Sequence, residues 1–320
     1  DVLDGLRLID DESVHCVVTS PPYFGLRDYG MDGQIGLEAT PAEYVARMVE
    51  VFREVRRVLR KDGVCWLNLG DSYASDTKGS GGSNHKTSPK QAWKGKANGQ
   101  GFSSRKVDHG LKQKDLIGIP WRVAFALQDD GWWLRQDIIW SKPNPMPESV
   151  TDRCTKAHEY VFMLTKSARY AYDAEAVREE FADERMGDPG KYNRTSAAVK
   201  GANNDRADGG FLNNGSGWSR GVELGGRNKR SVWSIATQPF SDAHFATMPP
   251  ELAETCIKAG CPKGGTVLDP FGGAGTTGLV ADRLQRNAVL IELNPEYAAM
   301  ASKRIGADRG ALLDVMEAAE

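Results

Sequence analysis

The sequence predicts an α/β fold, built on a doubly wound, mostly parallel, Rossmann-like sheet. The clearest observation is the stretch 266–305, where a strand, a glycine-rich loop, a helix, a strand and a helix follow one another. Such a βαβα unit places its strands in parallel. A second observation is that short β-branched runs earlier in the chain end at prolines or glycines and alternate with amphipathic stretches. With 320 residues, the chain can bury the core of one large α/β domain with insertions, or of two domains.

The first predicted strand, 14–18, leads into Thr19-Ser20-Pro21-Pro22-Tyr23. Each proline fixes its own φ and lacks an N–H, and Pro22 holds Pro21 extended, so a stiff turn ends the strand. In open α/β sheets, ligands bind at the carboxyl ends of strands. The turn therefore places a hydroxyl, a carbonyl and an aromatic ring at a position suited to a ligand.

The alternation continues along the chain. Thr40, Pro41 and Glu43 form a capping box that begins a helix, and we expect Gly63 to end it. A strand at 64–69 follows. The patterns further predict a helix at 118–127, strands at 132–140 and 160–164, and a return of regular structure at 231–235. A helix at 249–260, a strand at 266–269, a helix at 276–284, a strand at 288–292 and a helix at 295–305 follow.

Two stretches, 74–114 and 174–230, interrupt the pattern, and each contains a segment with a net positive charge. The chain has a net charge of −2, yet 76–114 carries +7 and 191–230 carries +5, which leaves −14 for the remainder. Taken alone, 74–114 is typical of a disordered surface loop. An acidic body with two basic insertions also suits a protein that contacts a polyanion through them. The basic residues expected to make this contact are Lys78, Lys86, Lys90, Lys94, Lys96, Arg105, Lys106, Arg194, Arg220, Arg227 and Arg230.

Composition argues against several classes of protein. The five cysteines are scattered without a Cys-x-x-Cys pair, which favours buried free thiols over disulfides or a zinc site. No apolar run approaches the roughly 18 residues of a membrane span, and no signal peptide opens the chain. We therefore expect a cytoplasmic protein without a metal centre or a membrane partner.

The loop at 269–278 is a candidate cofactor site. Its glycines let the backbone approach a ligand closely and leave N–H groups free at a helix N-terminus, while the absence of Gly-Lys-Ser/Thr argues against a triphosphate loop. Glu292 is placed to bind a ribose diol, and Asp269 would repel a pyrophosphate but suits the ammonium of an amino-acid-bearing cofactor. This combination favours S-adenosylmethionine over NAD. The residues expected to line the site are Asp269, Pro270, Phe271, Gly272, Gly273, Gly275, Thr276, Thr277, Glu292 and Asn294.

A methyl donor of this kind gives the Pro-Pro turn a chemical role. An exocyclic amine on a nucleobase is a poor nucleophile because its lone pair is delocalised into the ring. Two acceptors for its N–H groups, the Ser20 hydroxyl and the Pro21 carbonyl, favour a tetrahedral nitrogen that can attack a methylsulfonium in line. Tyr23 would stack on a base flipped out of a duplex. Taken alone, Ser-Pro-Pro-Tyr is also typical of an ordinary proline turn.

Together, residues 19–23 and Asp269-Pro-Phe-Gly-Gly-Ala-Gly-Thr-Thr277 resemble the amino-directed DNA methyltransferases, which methylate cytosine N4 or adenine N6. The catalytic motif precedes the cofactor motif, which is the permuted order of the β group of that family. The resemblance implies S-adenosylmethionine as the cofactor and double-stranded DNA as the substrate. It also implies that 174–230 is the target-recognition region, between a catalytic half at 1–173 and a cofactor-binding half at 231–320.

Four lesser motifs extend the resemblance: 68–71, 140–142, 158–160 and 244–247. His158 and Glu159 would suit a catalytic role when taken in isolation, but we expect a structural role for them beside the active site. The chain opens abruptly on an amphipathic stretch, and the family's acidic contact to the cofactor's adenine would precede Asp1. The further cofactor-site residues that the resemblance implies are Asp71, His244, Phe245 and Ala246.

Ser20 favours cytosine N4 as the target, because adenine enzymes of the family usually carry Asp or Asn at its position. Adenine N6 is the nearest alternative. A nicotinamide-dependent oxidoreductase would leave Ser-Pro-Pro-Tyr without a role, and a DNA-binding protein without activity would be expected to show damaged motifs. Methylation of cytosine C5 is disfavoured because it needs a cysteine after a proline, and Cys261-Pro262 has the reverse order. A cognate restriction endonuclease and a second copy of the chain are partners that the sequence leaves open.

Overall fold

The computed structural model describes residues 1–74, 112–180, 226–238 and 247–317, with side chains up to residue 309. Most of the two basic stretches therefore lies outside the described residues. The predicted contact residues outside these ranges are Lys78, Lys86, Lys90, Lys94, Lys96, Arg105, Lys106, Arg194 and Arg220, together with the predicted cofactor residues His244, Phe245 and Ala246.

The described strands form one seven-stranded sheet. They are β1 (Val14–Thr19), β2 (Leu59–Leu69), β3 (Trp133–Ser141), β4 (His158–Thr165), β5 (Val232–Ser234), β6 (Thr266–Asp269) and β7 (Asn287–Leu290). Their order across the sheet is β5-β3-β4-β2-β1-β6-β7. Every neighbouring pair is parallel except the two pairs that contain β4. The prediction of a mostly parallel α/β sheet is confirmed.

The antiparallel direction of β4 follows from its connection to β3. Parallel neighbours need a crossover, usually a helix, that carries the chain back across the sheet. Residues 142–157 contain no helix, so the chain turns back and β4 runs against β3 from Ser141↔His158 to Trp133↔Thr165. The same strand then pairs with β2 on its other side.

The described helices cover both faces of the sheet. They are α1 (Val2–Arg7), α2 (Pro41–Val58), α3 (Ile119–Asp129), α4 (Pro250–Gly260), α5 (Thr276–Arg283) and α6 (Pro295–Glu317). Successive strand residues point to opposite faces, so Val17 joins the core under α1, α2 and α3, whereas Cys16 and Val18 join the core under α4 and α5. No described helix is both long and apolar enough to span a membrane.

The start of α2 is as predicted, but its end is not. Thr40 Oγ1 accepts a hydrogen bond from the Glu43 N–H at 3.2 Å, and Pro41 is the first helical residue. The prediction that Gly63 ends the helix is wrong, since Leu59 is already extended and opens β2. The register against β1 jumps from Val14↔Leu59 to Cys16↔Val64, so Gly63 belongs to an irregularity within the strand.

The position of β1 prepares the functional site. The chain enters the sheet at β1, builds outward through β2, and later returns to place β6 on the other side of β1. Ligands in open α/β sheets bind at the point where the strand order reverses, at the carboxyl ends of the strands. The residues that follow β1 and β6 lie at that point.

Candidate active site

The Pro-Pro turn and the glycine-rich loop are joined by one buried carboxylate. Thr19 Oγ1 donates to Asp269 Oδ1 at 2.7 Å, and Thr277 Oγ1 donates to Asp269 Oδ2 at 2.8 Å. The Phe271 N–H adds a bond to Oδ1 at 3.1 Å. Thr19 and Asp269 are 250 positions apart in the chain, so this contact assembles the site from its two halves.

Asp269 lies in a negatively charged environment. Its residue is only 4% exposed, and burial raises the pKa of the carboxyl to about 6, although the bonds from Thr19 and Thr277 oppose this shift. The nearby Glu292 carboxylate also raises that pKa. Within the described part of the chain, no lysine or arginine forms an ion pair with Asp269 or Glu292. Among the residues that the structure describes, the site therefore offers two neighbouring carboxyl groups without a cationic partner.

The Pro-Pro turn is held from below by α2. The Tyr44 hydroxyl donates to the Pro22 carbonyl at 2.9 Å, and the Tyr44 ring is fully buried against Phe24, with ring centroids 5.6 Å apart. Because both prolines also restrict φ, the backbone that presents the Ser20 hydroxyl and the Pro21 carbonyl is fixed before any ligand binds.

The Tyr23 ring is fixed by a hydrogen bond and by close packing. Its hydroxyl donates to Glu159 Oε2 at 2.6 Å and accepts a longer bond from Ser20 Oγ at 3.4 Å. Burial and the Glu159 carboxylate raise the pKa of the phenol well above its usual value, so Tyr23 stays a neutral donor. A Cβ at Gly70 would lie 2.5 Å from Tyr23 Cε2, which means that only glycine leaves room for the ring.

Glu159 is the hub of this network. Besides Tyr23, it accepts a bond from Asn68 Nδ2 at 3.1 Å and pairs with the Lys142 ammonium. The Glu159 and Lys142 side chains are 16% and 18% exposed, so this is a largely buried ion pair. The Lys142 ammonium also lies 4.3 Å from the centroid of the Trp140 ring. The adjacent strands β2, β4 and β3 deliver Asn68, Glu159 and Lys142 to the edge at which β1 ends.

The glycine-rich loop is shaped by close contacts. Gly275 has φ +75°, and a Cβ there would lie 2.7 Å from the Ala301 Cβ on α6. The Gly273 N–H donates to Glu292 Oε2 at 2.7 Å, and the Asn294 N–H donates to Glu292 Oε1 at 2.8 Å. These bonds bring the loop to the residues that follow β7. Arg304 also fixes the loop by donating to the Ala274 carbonyl and to Thr276 Oγ1, at 3.1 and 3.0 Å.

The residues of this edge fit S-adenosylmethionine chemically. Each Glu292 oxygen accepts one backbone N–H and retains a lone pair that can accept from a ribose hydroxyl. Two carboxyl groups that no described lysine or arginine neutralises suit a ligand that carries an ammonium and a sulfonium. The half-buried Phe271 ring adds apolar surface beside them.

Asp71 has a structural partner in this fold. Its Oδ1 accepts from the N–H groups of Gly118 and Ile119, both at 3.0 Å, and from the Ser72 N–H at 2.9 Å. The side chain thus caps the N-terminus of α3, where Gly118 supplies no side-chain oxygen of its own. Its predicted contact with the cofactor stays a prediction.

Arg227 and Arg230 converge on an acidic residue. Both Nε atoms donate to Glu179 Oε2, at 3.3 and 2.9 Å. Arg227 also forms a two-way backbone bridge with Glu179, and its side chain is 29% exposed, whereas the Arg230 side chain is 66% exposed. Arg230 is thus the more accessible of the two predicted DNA contacts.

Several residues of the site were not singled out as functional from the sequence. Tyr44 and Arg304 belong to amphipathic helical patterns and carry no signal that separates them from core or surface positions. The lesser motifs at 68–71, 140–142 and 158–160 did mark Asn68, Lys142 and Glu159 as belonging together, but not the bonds between them.

Comparison with known proteins agrees with this geometry. Residues 14–303 match the N6/N4 family model described as DNA methylase. The chain is 46% identical over 305 residues to the Type II methyltransferase M.Cfr9I of Citrobacter freundii, covering 95% of this chain and 85% of that protein. It is 44% identical over 309 residues to the Type II methyltransferase M.SmaI of Serratia marcescens, covering 95% and 88%.

Solved structures show the same fold. The PvuII DNA methyltransferase, described as cytosine-N4-specific, aligns with a TM-score of 0.58 at 19% identity over 97% of this chain and 89% of that one. A DNA modification methylase of Thermus thermophilus in complex with S-adenosyl-L-methionine aligns with a TM-score of 0.55 at 22% identity over 96% and 91%. The family match and the neighbour that binds S-adenosyl-L-methionine confirm the cofactor that the sequence predicts. The chain belongs to the N6/N4 DNA methylase family, and it is a DNA methyltransferase of the Type II kind.

Proposed function

We propose that this enzyme methylates the exocyclic N4 amine of cytosine in duplex DNA, after flipping the target base out of the helix. The observation that carries the proposal is the hydrogen-bonded chain from Ser20 through Tyr23 to Glu159. It begins at a hydroxyl, where the family's adenine enzymes usually have an acid or an amide. The identity of Ser20 favours cytosine, and the hydrogen bonds describe how its hydroxyl would act on the amine.

The direction of these hydrogen bonds leaves the Ser20 oxygen as an acceptor for the amine of the target base. Tyr23 gives its only hydroxyl hydrogen to the Glu159 carboxylate, so its oxygen is free to accept from Ser20. With its own hydrogen engaged, the Ser20 oxygen presents lone pairs to a base amine. A chain that ends on a carboxylate polarises each hydroxyl along it and strengthens the acceptor at the far end.

The Pro21 carbonyl supplies the second acceptor for the amine. Two acceptors on one amine draw its N–H groups away from the plane of the base and localise the nitrogen lone pair. Because Tyr44 and the prolines fix the turn in advance, little reorganisation is needed when the base arrives. The Tyr23 ring, backed by Gly70, would stack on the base and fix its plane.

The methyl donor would bind on the other side of the Thr19–Asp269 contact. S-adenosylmethionine supplies an electrophilic methyl group when bound. Asp269 and Glu292 would hold its ammonium and its ribose diol, and the glycine-rich loop with Phe271 would lie against the rest of the molecule. By the same proposal, the basic stretches at 74–114 and 174–230 contact the DNA, and 174–230 selects its sequence. A cognate endonuclease and a second copy of the chain stay predictions.

The product base tests the proposal directly. DNA from cells that express the enzyme is digested to nucleosides and analysed by mass spectrometry, with the same cells lacking the gene for the enzyme as the blank. We expect N4-methylcytosine in the wild-type sample alone. N6-methyladenine instead would identify adenine as the target and refute the role assigned to Ser20.

A further inference from the structure

The connection between β3 and β4 forms a large loop beside the proposed active site. It is closed at its base by a hydrogen bond from the Lys142 N–H to the Ala157 carbonyl at 2.8 Å. Since β3 runs parallel to β2, and β2 to β1, the loop leaves the sheet at the edge where the Pro-Pro turn lies. Lys142 itself contacts Glu159, which holds Tyr23.

The first part of this loop is unusually stiff. Pro143, Pro145 and Pro147 each fix φ within five residues. Between the first two, the Asn144 amide makes a double contact with the backbone of Thr237: Nδ2 donates to the carbonyl at 3.1 Å, and Oδ1 accepts from the N–H at 2.9 Å. The loop is therefore anchored to the chain that follows β5.

The acidic side chains of the loop are neutralised by cations. Glu148 accepts from Arg153 at 2.6 Å, and Asp152 accepts from Lys114 at 2.6 Å. The Arg153 guanidinium in turn lies 4.0 Å from the centroid of the Tyr73 ring. A polyanion can approach the loop without meeting an unpaired carboxylate among these residues.

One large apolar side chain projects from this stiff segment. Met146, between Pro145 and Pro147, is 85% exposed. It is four residues from Lys142, so the length of the chain keeps it within about 14 Å of that residue. A flipped base stays attached to the DNA backbone, and the gap that it leaves lies within a comparable distance of the pocket that receives it.

We propose that Met146 inserts into the DNA helix at the gap left by the flipped base. The inference rests on the proposed base-flipping function. Apolar side chains, methionine included, act as wedges between base steps in other DNA-binding proteins, and the unbranched thioether adapts to an irregular gap. The prolines hold the backbone rigid, so insertion orders one side chain and not a whole loop. Met146 thereby favours the flipped state over the paired one.

The test compares Met146→Gly with Met146→Leu and with Val150→Gly, a matched change in the same loop at a residue that is 37% exposed. Two duplexes carry the sequence that the wild-type enzyme modifies. In one the target base is paired, and in the other it faces an abasic site, so that little pairing has to be broken. Rates of methyl transfer are measured with S-adenosylmethionine at saturation. A probe with 2-aminopurine at the target position reports unstacking by fluorescence.

We expect Met146→Gly to slow methylation of the paired duplex about tenfold and that of the unpaired duplex about twofold or less, with weaker 2-aminopurine fluorescence. Met146→Leu and Val150→Gly should stay near the wild type on both. Equal losses on the two duplexes, or no loss on either, would overturn the proposal. Should the wild type methylate adenine, the cytosine assignment fails, and the same comparison on an adenine target still decides the role of Met146.

Discussion

Replacing Asp269 by asparagine removes the charge of the buried carboxylate and keeps its shape. The amide oxygen can still accept from Thr19 and Phe271, while the amide nitrogen would donate to the Thr277 hydroxyl and so reverse that bond. The pKa of this carboxyl is raised from about 3.8 to about 6, chiefly by burial. The folded protein thus binds this proton more tightly than the unfolded chain does. The contribution of Asp269 to stability is fully present below the unfolded pKa and is lost as pH rises through about 6.

The shift of about two pKa units corresponds to about 3 kcal/mol over its full range. Between about pH 4.5 and pH 7, where measurement is practical, the wild type should lose about 2 kcal/mol of unfolding free energy relative to Asp269→Asn. Urea unfolding followed by tryptophan fluorescence at several pH values measures this difference. Asp308→Asn serves as the control. Because Arg283 lowers the pKa of Asp308, the unfolding free energy of the wild type should rise with pH relative to that variant.

The same variant tests the role of the charge in cofactor binding. Asp269→Asn should weaken binding of S-adenosylmethionine at neutral pH, and wild-type affinity should fall as pH drops through about 6, since protonation removes the attraction for an ammonium. Isothermal titration calorimetry of the wild type and the variant across this pH range separates the effect of the substitution from the effect of protonation. A stability difference that does not change with pH would refute the burial argument. Equal affinity in the variant would refute the cofactor contact.

Three further changes probe other parts of the site. Tyr23→Ala should lower the methylation rate by about one to two orders of magnitude, in line with the 1–3 kcal/mol of a lost stacking contact, while calorimetry shows cofactor binding intact; full turnover would sink the stacking role. Glu159→Gln should destabilise the fold by about 2–3 kcal/mol because Lys142 loses its partner, and the double variant with Lys142→Met should recover stability in urea unfolding but not activity. If activity returns with stability, Glu159 acts only through the fold. Deletion of 78–106 should weaken DNA binding and flatten its dependence on salt in fluorescence anisotropy, and an unchanged slope would make that stretch a linker.

The local patterns of the sequence predicted the elements that carry the site, most sharply in the last section. The strand Thr266–Asp269 and the first residue of the following helix agree with the prediction, because β-branched runs, glycines and caps are local signals. The prediction that Gly63 ends the helix was wrong for the same reason: it relied on a local signal, since a glycine after a helix usually marks the end of that helix. Here the chain enters β2 at Leu59 without a turn.

Contacts between distant residues could not be predicted in this way. Tyr23 and Glu159 are 136 positions apart, and they meet only because β4 turns back against β3 and then pairs with β2. The direction of that strand depends on a connection without a helix. Asp71 was marked by a sequence motif, but the motif gave no indication that its carboxylate caps the N-terminus of α3.

The bond between Thr19 and Asp269 also has a consequence for how the protein is made. The central strand β1 leaves the ribosome some 250 residues before its neighbour β6. At about 5–20 residues per second, β1 waits roughly 10–50 s with one hydrogen-bonding edge open. An unpaired edge in the middle of an apolar sheet invites pairing with other chains. Nascent or truncated chains that lack β6 should therefore depend on chaperones and aggregate when these are scarce, and methylating activity should appear only after the last section has docked.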